Sequence, residues 1–365
     1  EVRATGGMPG AYLVVRAADG RVTIVDEGVA AALVAYDRPV LPLDADDLAL
    51  YSEKMATFPG NVNLTPDFPT AAALAREMHR RRTGRTVDGV LATDPVALAH
   101  LMRAIGPVQV PGGDRLTAAN TVSALLSRVY AERTPEEQDR YFSAAARAIF
   151  QALLTRPVAP GALLAALARA AGERRLLVWS AEASENARLA GTVLAGVLPA
   201  DAPARPTVGV FLNDGTGAKL SYYLAPAASL QVTDTCRRDR RRELRLRVSL
   251  RSTAPAKGLS RSVLGLERGG APYTVRTLVS VYGPTRGALE SMAVDGRPSA
   301  FGSGRDGRRR VGVLTVDLRP GQSRTIEATL LTAPIDDAAE VRPQLRTTPL
   351  VTPWKQSVGT SNRCP

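Results

Sequence analysis

Two hydrophobic rhythms divide the chain. Up to about residue 225, apolar side chains recur at helical spacing between short apolar runs; beyond it they alternate with polar ones. Residues 12–16 and 21–26 read as strands joined through Ala17-Ala18-Asp19-Gly20, where Asp-Gly marks a hairpin turn. Residues 70–82 predict a helix with Leu74 and Met78 on one face, closed by Thr83-Gly84. Strands at 87–92 and 108–110 flank a helix at 95–105, and further helices are predicted at 118–130, 136–154, 161–171 and 181–198, with a strand at 176–179. Strands at 207–212 and 220–224 frame the turn Asn213-Asp214-Gly215-Thr216-Gly217. Strand and helix alternate as in an α/β sandwich.

In residues 243–250 every second side chain is apolar, so Leu244, Leu246, Val248 and Leu250 share a buried face while Arg245 and Arg247 meet water. Residues 273–282, 310–318 and 324–332 repeat the habit, which predicts an immunoglobulin-like β-sandwich. The expected organisation is an α/β domain over 1–225, a β-sandwich over 226–335 and an irregular tail over 336–365. The length of 365 residues and 45% apolar content support two cores, and no apolar run is long enough to span a bilayer.

Charge narrows the choice of partner. The net charge is +12, and apart from Lys54, Lys219, Lys257 and Lys355 every basic residue except the two histidines is an arginine. Planar guanidinium groups favour phosphate and other anions. Only 5% of the chain is aromatic and no nucleic-acid motif interrupts the basic runs, so the expected partners are anionic glycans or lipid pyrophosphates rather than nucleic acid. Cys236 and Cys364 are too few for a zinc site; one disulfide, implying an oxidising compartment, or two separate buried thiols are the alternatives.

Candidate chemistry is sparse. Arg3 leads into Gly6-Gly7-Met8-Pro9-Gly10, either a plain turn or an anion cradle. Asp44-Ala45-Asp46-Asp47 is either a magnesium-binding knot or a helix start. Asn213 to Lys219 lacks the Gly-Lys-Ser/Thr and following helix of a P-loop. His79 and His100 sit in no hydrolase motif and read as surface or core residues. Glu1, Asp67, Asp94 and Asp214 are the carboxylates from which a glycoside hydrolase would need to draw a pair.

The opening Glu1-Val2-Arg3-Ala4-Thr5-Gly6-Gly7 resembles the signature of an actinobacterial family, domain of unknown function 4012. The stretch from Asn213 to Lys219 resembles the same family in its Asn, Gly and Lys. That family in turn resembles the LytR-CpsA-Psr phosphotransferases, over roughly residues 1–154. The resemblance implies an α/β/α sandwich, a membrane anchor ahead of Glu1, an extracytoplasmic location, and a polyprenyl-pyrophosphate-linked glycan or anionic wall polymer as ligand. It further implies that Arg3, Arg128 and Arg140 converge on the pyrophosphate, with Asn213 and Lys219 as further binding residues.

The aspartate that follows the phosphotransferases' first arginine is absent from Arg3-Ala4-Thr5-Gly6. Val25-Asp26-Glu27-Gly28 replaces their arginine-aspartate pair. Asp67 is then the substitute carboxylate for catalysis, with magnesium as the possible cofactor; its alternative role is helix capping. The implied activity is transfer of a glycan phosphate during wall-polymer assembly. The alternatives are a non-catalytic glycan-binding or scaffold protein of the envelope and a cell-wall glycan hydrolase.

Overall fold

The computed structural model describes residues 1–30, 35–202, 204–265, 271–336 and 339–360, leaving out the side chains of 234–236. The protein is mixed α/β and forms two compact units whose segments interleave along the sequence. A β-rich unit takes Glu1–Ala4, Asp44–Ser52 and Leu198–Pro365; a helical unit takes Thr5–Leu43 and Glu53–Val197.

The β-rich unit holds two sheets. The first runs Arg297–Pro298, Ala288–Val294, Ser323–Leu331, Arg242–Ser252, Leu224–Cys236, Lys355–Val358. The second runs Gly302–Asp306, Arg309–Leu318, Val275–Thr285, Thr207–Asp214, Gln344–Thr347. They pack face to face. At Gly312 a Cβ would collide with Leu289 and Met292 of the other sheet, so glycine is what allows the close approach there. Leu244, Leu246, Val248 and Leu250 are all buried, as the alternation predicts.

Three expectations are corrected here. The boundary at 225 gives way because Thr207–Asp214 pairs antiparallel with Val275–Thr285, deep in the second sheet. Nearly every residue of that strand is buried, which erases the period-two signal that marks the later strands. The tail over 336–365 is not wholly irregular: Gln344–Thr347 pairs parallel to Thr207–Asp214, and Lys355–Val358 parallel to Leu224–Cys236. Residues 220–224 form a 3₁₀ turn, Leu220–Tyr223, before the next strand starts at Leu224. The expected Cys236–Cys364 pair lies outside the described residues.

One buried ion pair organises this unit. Arg309 is 7% exposed. Its Nη1 donates to the carbonyls of Thr207 and Gly283 at 3.0 Å each, and its Nη2 to Pro199 O at 2.7 Å and Asp201 Oδ1 at 2.9 Å. The Asp201 carboxylate also accepts from the amides of Thr207 (3.1 Å) and Thr285 (2.6 Å). Each partner thus answers the other's charge inside the fold.

In the helical unit, the hairpin is Ala11–Ala18 with Arg21–Val29. Asp19 (φ 52°) and Gly20 (φ 73°) supply the two left-handed turn residues that a type I′ hairpin requires. Asp67 caps the helix Phe68–Thr83 by accepting from Thr70 N at 3.0 Å, and Gly84 ends it in the left-handed region. Thr134 and Glu137 form a capping box for Pro135–Thr155. Met102, Ile105, Leu125, Val129, Tyr141 and Ile149 build its main core.

The strands of this unit pair only as two-stranded antiparallel ladders among the described residues, among them Gly89–Thr93 with Leu176–Ser180. The layered sheet expected for residues 1–225 is therefore not what their pairing builds. The helix predicted over 181–198 stops at Leu189, since Gly191 and Gly196 take positive φ and turn the chain.

A charge network ties the helix Pro95–Ile105 to Glu173 and Arg175. His100 Nε2 lies 2.9 Å from Glu173 Oε2, while Arg103 donates to His100 Nδ1 at 2.8 Å, which fixes the proton on Nε2. Burial disfavours the Glu173 charge, but hydrogen bonds from His100 and Arg169 and the charge of Arg175 bring its pKa down to about 2. A carboxylate lowered in the folded state stabilises the fold above its unfolded value and ceases to as pH falls through the folded one. Melting temperature should therefore drop between about pH 4.5 and 2, more steeply in wild type than in Glu173→Gln. Parallel acid limbs in the two proteins would remove Glu173 from that role.

Candidate functional site

The two motifs singled out in the sequence meet in the β-rich unit, although more than two hundred residues separate them. Residues Glu1–Ala4 lie along Thr207–Asp214 and its following turn. Val2 N donates to Ser221 Oγ at 3.1 Å, and Ala4 N to Asn213 Oδ1 at 2.9 Å. Thr348 closes the other side, its hydroxyl donating to Ala4 O at 3.1 Å while accepting from Leu212 N at 2.9 Å. Asn213 and Thr348 thus satisfy backbone groups that burial would otherwise leave unmatched.

The turn after Asn213 is shaped by Asp214. Its carboxylate accepts from Gly217 N at 2.6 Å and from Thr216 N and Oγ1 at 3.1 Å each. Gly217 sits at φ +77°, a conformation that glycine adopts without strain. Burial, and then the neighbouring charge of Glu1, push the Asp214 carboxyl above its ordinary pKa, against the pull of the two amides and Arg3. Lys219 ends the turn half-buried, its amide donating to Val263 O at 2.8 Å.

Arg3 is 6% exposed, and its guanidinium is turned to the protein. Nη2 reaches Glu1 Oε2 at 2.9 Å and Nη1 the carbonyl of Val2 at 2.9 Å. The group therefore contains Glu1 and Asp214 as well as Arg3 and Lys219, a balanced set of charges rather than a surplus of positive ones. Such a set holds a strand and a turn together; it does not present a bare guanidinium to a pyrophosphate. Asn213→Ala strands the Ala4 amide inside the fold, so it should lower stability by about 1–3 kcal/mol. Chemical denaturation of the variant checks this, and a wild-type midpoint would show that the bond contributes nothing.

The remaining nominated residues belong to the helical unit. Asp67 is a helix cap, the alternative role already weighed for it. Arg128 donates to Asp114 Oδ2 at 3.2 Å with both side chains well solvated, and Asp114 also accepts from Tyr141 Oη at 3.4 Å. Arg140 is exposed on Pro135–Thr155, where its charge is felt by Glu137. Arg3 belongs to a different compact unit from Arg128 and Arg140, so the three form no single constellation within either unit. Asp94 caps Pro95–Ile105 through Ala97 N (2.8 Å) and pairs with Arg175 at 2.5 Å.

The acidic knot also serves helix geometry. Asp44 accepts from Asp47 N at 2.7 Å, and Asp46 accepts from Gly307 N at 3.1 Å. Among the described residues no group of three or more His, Cys, Asp or Glu side chains is arranged to hold a metal ion. Sequence reasoning missed Ser221 and Thr348, which complete the lock on residues 1–4. A hydroxyl bonded to a backbone group far along the chain leaves no local pattern to find.

Among solved structures, a nutrient binding protein from Legionella pneumophila is similar at 7% identity, covering 38% of this chain and 47% of its own, with a TM-score of 0.24. An M1 zinc metallopeptidase from Deinococcus radiodurans is similar at 11% identity over 30% of this chain and 20% of its own (TM-score 0.18). Legionella pneumophila aminopeptidase A is similar at 13% identity over 33% and 12% (TM-score 0.17). The chain spans less than half the length of each, and these likenesses bear no argument. No curated protein matches it. Residues 1–130 match the model of a family described as a protein of unknown function (DUF4012), and it is to that family that this part of the chain is similar.

Proposed function

We propose that this is an envelope protein that binds an anionic glycan without transferring it. The carrying observation is the state of Arg3, buried and held by Glu1 at 2.9 Å, where a phosphotransferase would need it open to substrate. Asp67, the substitute catalytic carboxylate, caps a helix through its Oδ2, which accepts from the Thr70 amide. The net charge of +12, carried almost wholly by arginine, supports an anionic ligand. The extracytoplasmic, membrane-anchored setting and the polyprenyl-linked or wall-polymer nature of that glycan rest on the resemblance to LytR-CpsA-Psr proteins. The disulfide belongs to the same proposal.

Binding is tested with labelled polygalacturonate, an anionic polysaccharide, titrated with and without chelator. Saturable binding that chelator leaves unchanged is expected. Binding that disappears with chelator would return a metal to the site, and absence of binding would overturn the reading.

A further inference from the structure

The outer face of the six-stranded sheet carries a row of exposed arginines. Along Arg242–Ser252 the side chains of Arg245, Arg247 and Arg251 all point to solvent, while the intervening leucines and valine point to the core. Alternate residues of a strand stand roughly 7 Å apart on one face, so Arg245 and Arg247 form a regular pair and Arg251 extends the row by two further steps. The register extends this row sideways. Arg247 is level with Ser229, and Arg245 with Gln231 and Thr329 on the flanking strands. Ser229 and Ala227 in turn stand level with Ser357 and Lys355 on the edge strand, both exposed.

We infer that this face is a docking surface for an extended anionic polysaccharide. The inference rests on the glycan-binding reading above and adds the place of contact. The cations are spread along a strand rather than gathered around a point, which suits a polymer with repeated charges and not a single phosphate. Hydroxyls and an amide between them match the hydroxyls of sugars. Among the described residues, those level with Arg245 and Arg247 on the flanking strands include no aromatic side chain, so no stacking platform of the kind that holds single-stranded nucleic acids lies beside them.

Glu243 and Glu327 pair with Arg245 (3.0 Å) and Arg247 (2.6 Å). Those arginine side chains remain 71% and 62% exposed, and an exposed guanidinium keeps donors free to face a competing polyanion while its pair persists.

The test uses polygalacturonate and the full chain. Arg245→Ser/Arg247→Ser/Arg251→Ser removes the row; Arg16→Ser/Arg21→Ser/Arg85→Ser removes the same charge from exposed positions of the helical unit. The first variant should weaken binding at least tenfold and flatten its dependence on salt, as expected when roughly three ionic contacts are lost. The second should stay within twofold of wild type. If the first variant fails to fold, Lys355→Glu on the edge strand should by itself weaken binding several-fold.

Equal losses in the two triple variants, or wild-type affinity in the first, would overturn the surface while leaving glycan binding intact. Tighter binding of single-stranded DNA of equal charge, lost in the first variant, would reassign the face to nucleic acid. No binding of polygalacturonate by wild type would overturn both the surface and the reading beneath it.

Discussion

Arg309→Ala is expected to cost the β-rich unit about 3–5 kcal/mol, the range for removing one member of a buried, hydrogen-bonded ion pair. Three carbonyls lose a donor at once, and the Asp201 carboxylate loses its countercharge and keeps only the amides of Thr207 and Thr285. For a unit of this size the shift in melting temperature should be roughly 10 °C. Lysine should rescue little, since one ammonium cannot reach four acceptors set around a planar fork. Combining Arg309→Ala with Asp201→Ala should cost clearly less than the sum of the single changes, because the second removes the charge that the first leaves unanswered. Differential scanning calorimetry decides the matter. A shift below 2 °C for Arg309→Ala would mean that the pair does not organise the sheets.

The second large effect belongs to the helical unit. Arg175, whose side chain is 6% exposed, bonds Asp94 at 2.5 Å and Glu173 at 3.1 Å. Alanine there removes the cation that Asp94 and Glu173 share beside the start of Pro95–Ile105. Both carboxylates keep some solvent, so the expected loss is about 2–3 kcal/mol, below the full value for a buried pair. Hydrogen exchange should show faster opening of Pro95–Ile105 and of the ladder Gly89–Thr93 with Leu176–Ser180. The β-rich sheets should exchange as in wild type. Faster exchange throughout the chain, or none anywhere, would contradict this local assignment.

Local chemistry was legible in the sequence and long-range assembly was not. The Asp19-Gly20 hairpin, the Asp67 cap, the Gly84 stop and the alternating strand around Leu246 follow from rules that act within a few residues. The interleaving of the units does not. Glu1–Ala4 joins a sheet two hundred residues downstream through Asn213, Ser221 and Thr348, and no spacing between neighbours encodes such a bond. Thr207–Asp214 was legible as a strand but not as part of the β-rich unit, since burial on both faces hides its period. The site shows the same division. Both motifs were visible in isolation, and their meeting required the fold. Arg3 looked like a phosphate ligand because it leads into a glycine-rich turn, and the sequence does not show that its guanidinium folds back onto Glu1.

If the lock formed by Arg3, Glu1, Asn213 and Asp214 is structural and the protein binds without transferring, a turnover measurement shows it. Wild-type protein is incubated with a polyprenyl-pyrophosphate-linked glycan, an acceptor wall polymer and magnesium, and released polyprenyl phosphate is counted by mass spectrometry. Release no faster than in buffer is expected, from wild type and Arg3→Ala alike, with Arg3→Ala distinguished only by a lower melting temperature. Turnover in wild type that vanishes in Arg3→Ala or Asp67→Ala while the protein stays folded would contradict it.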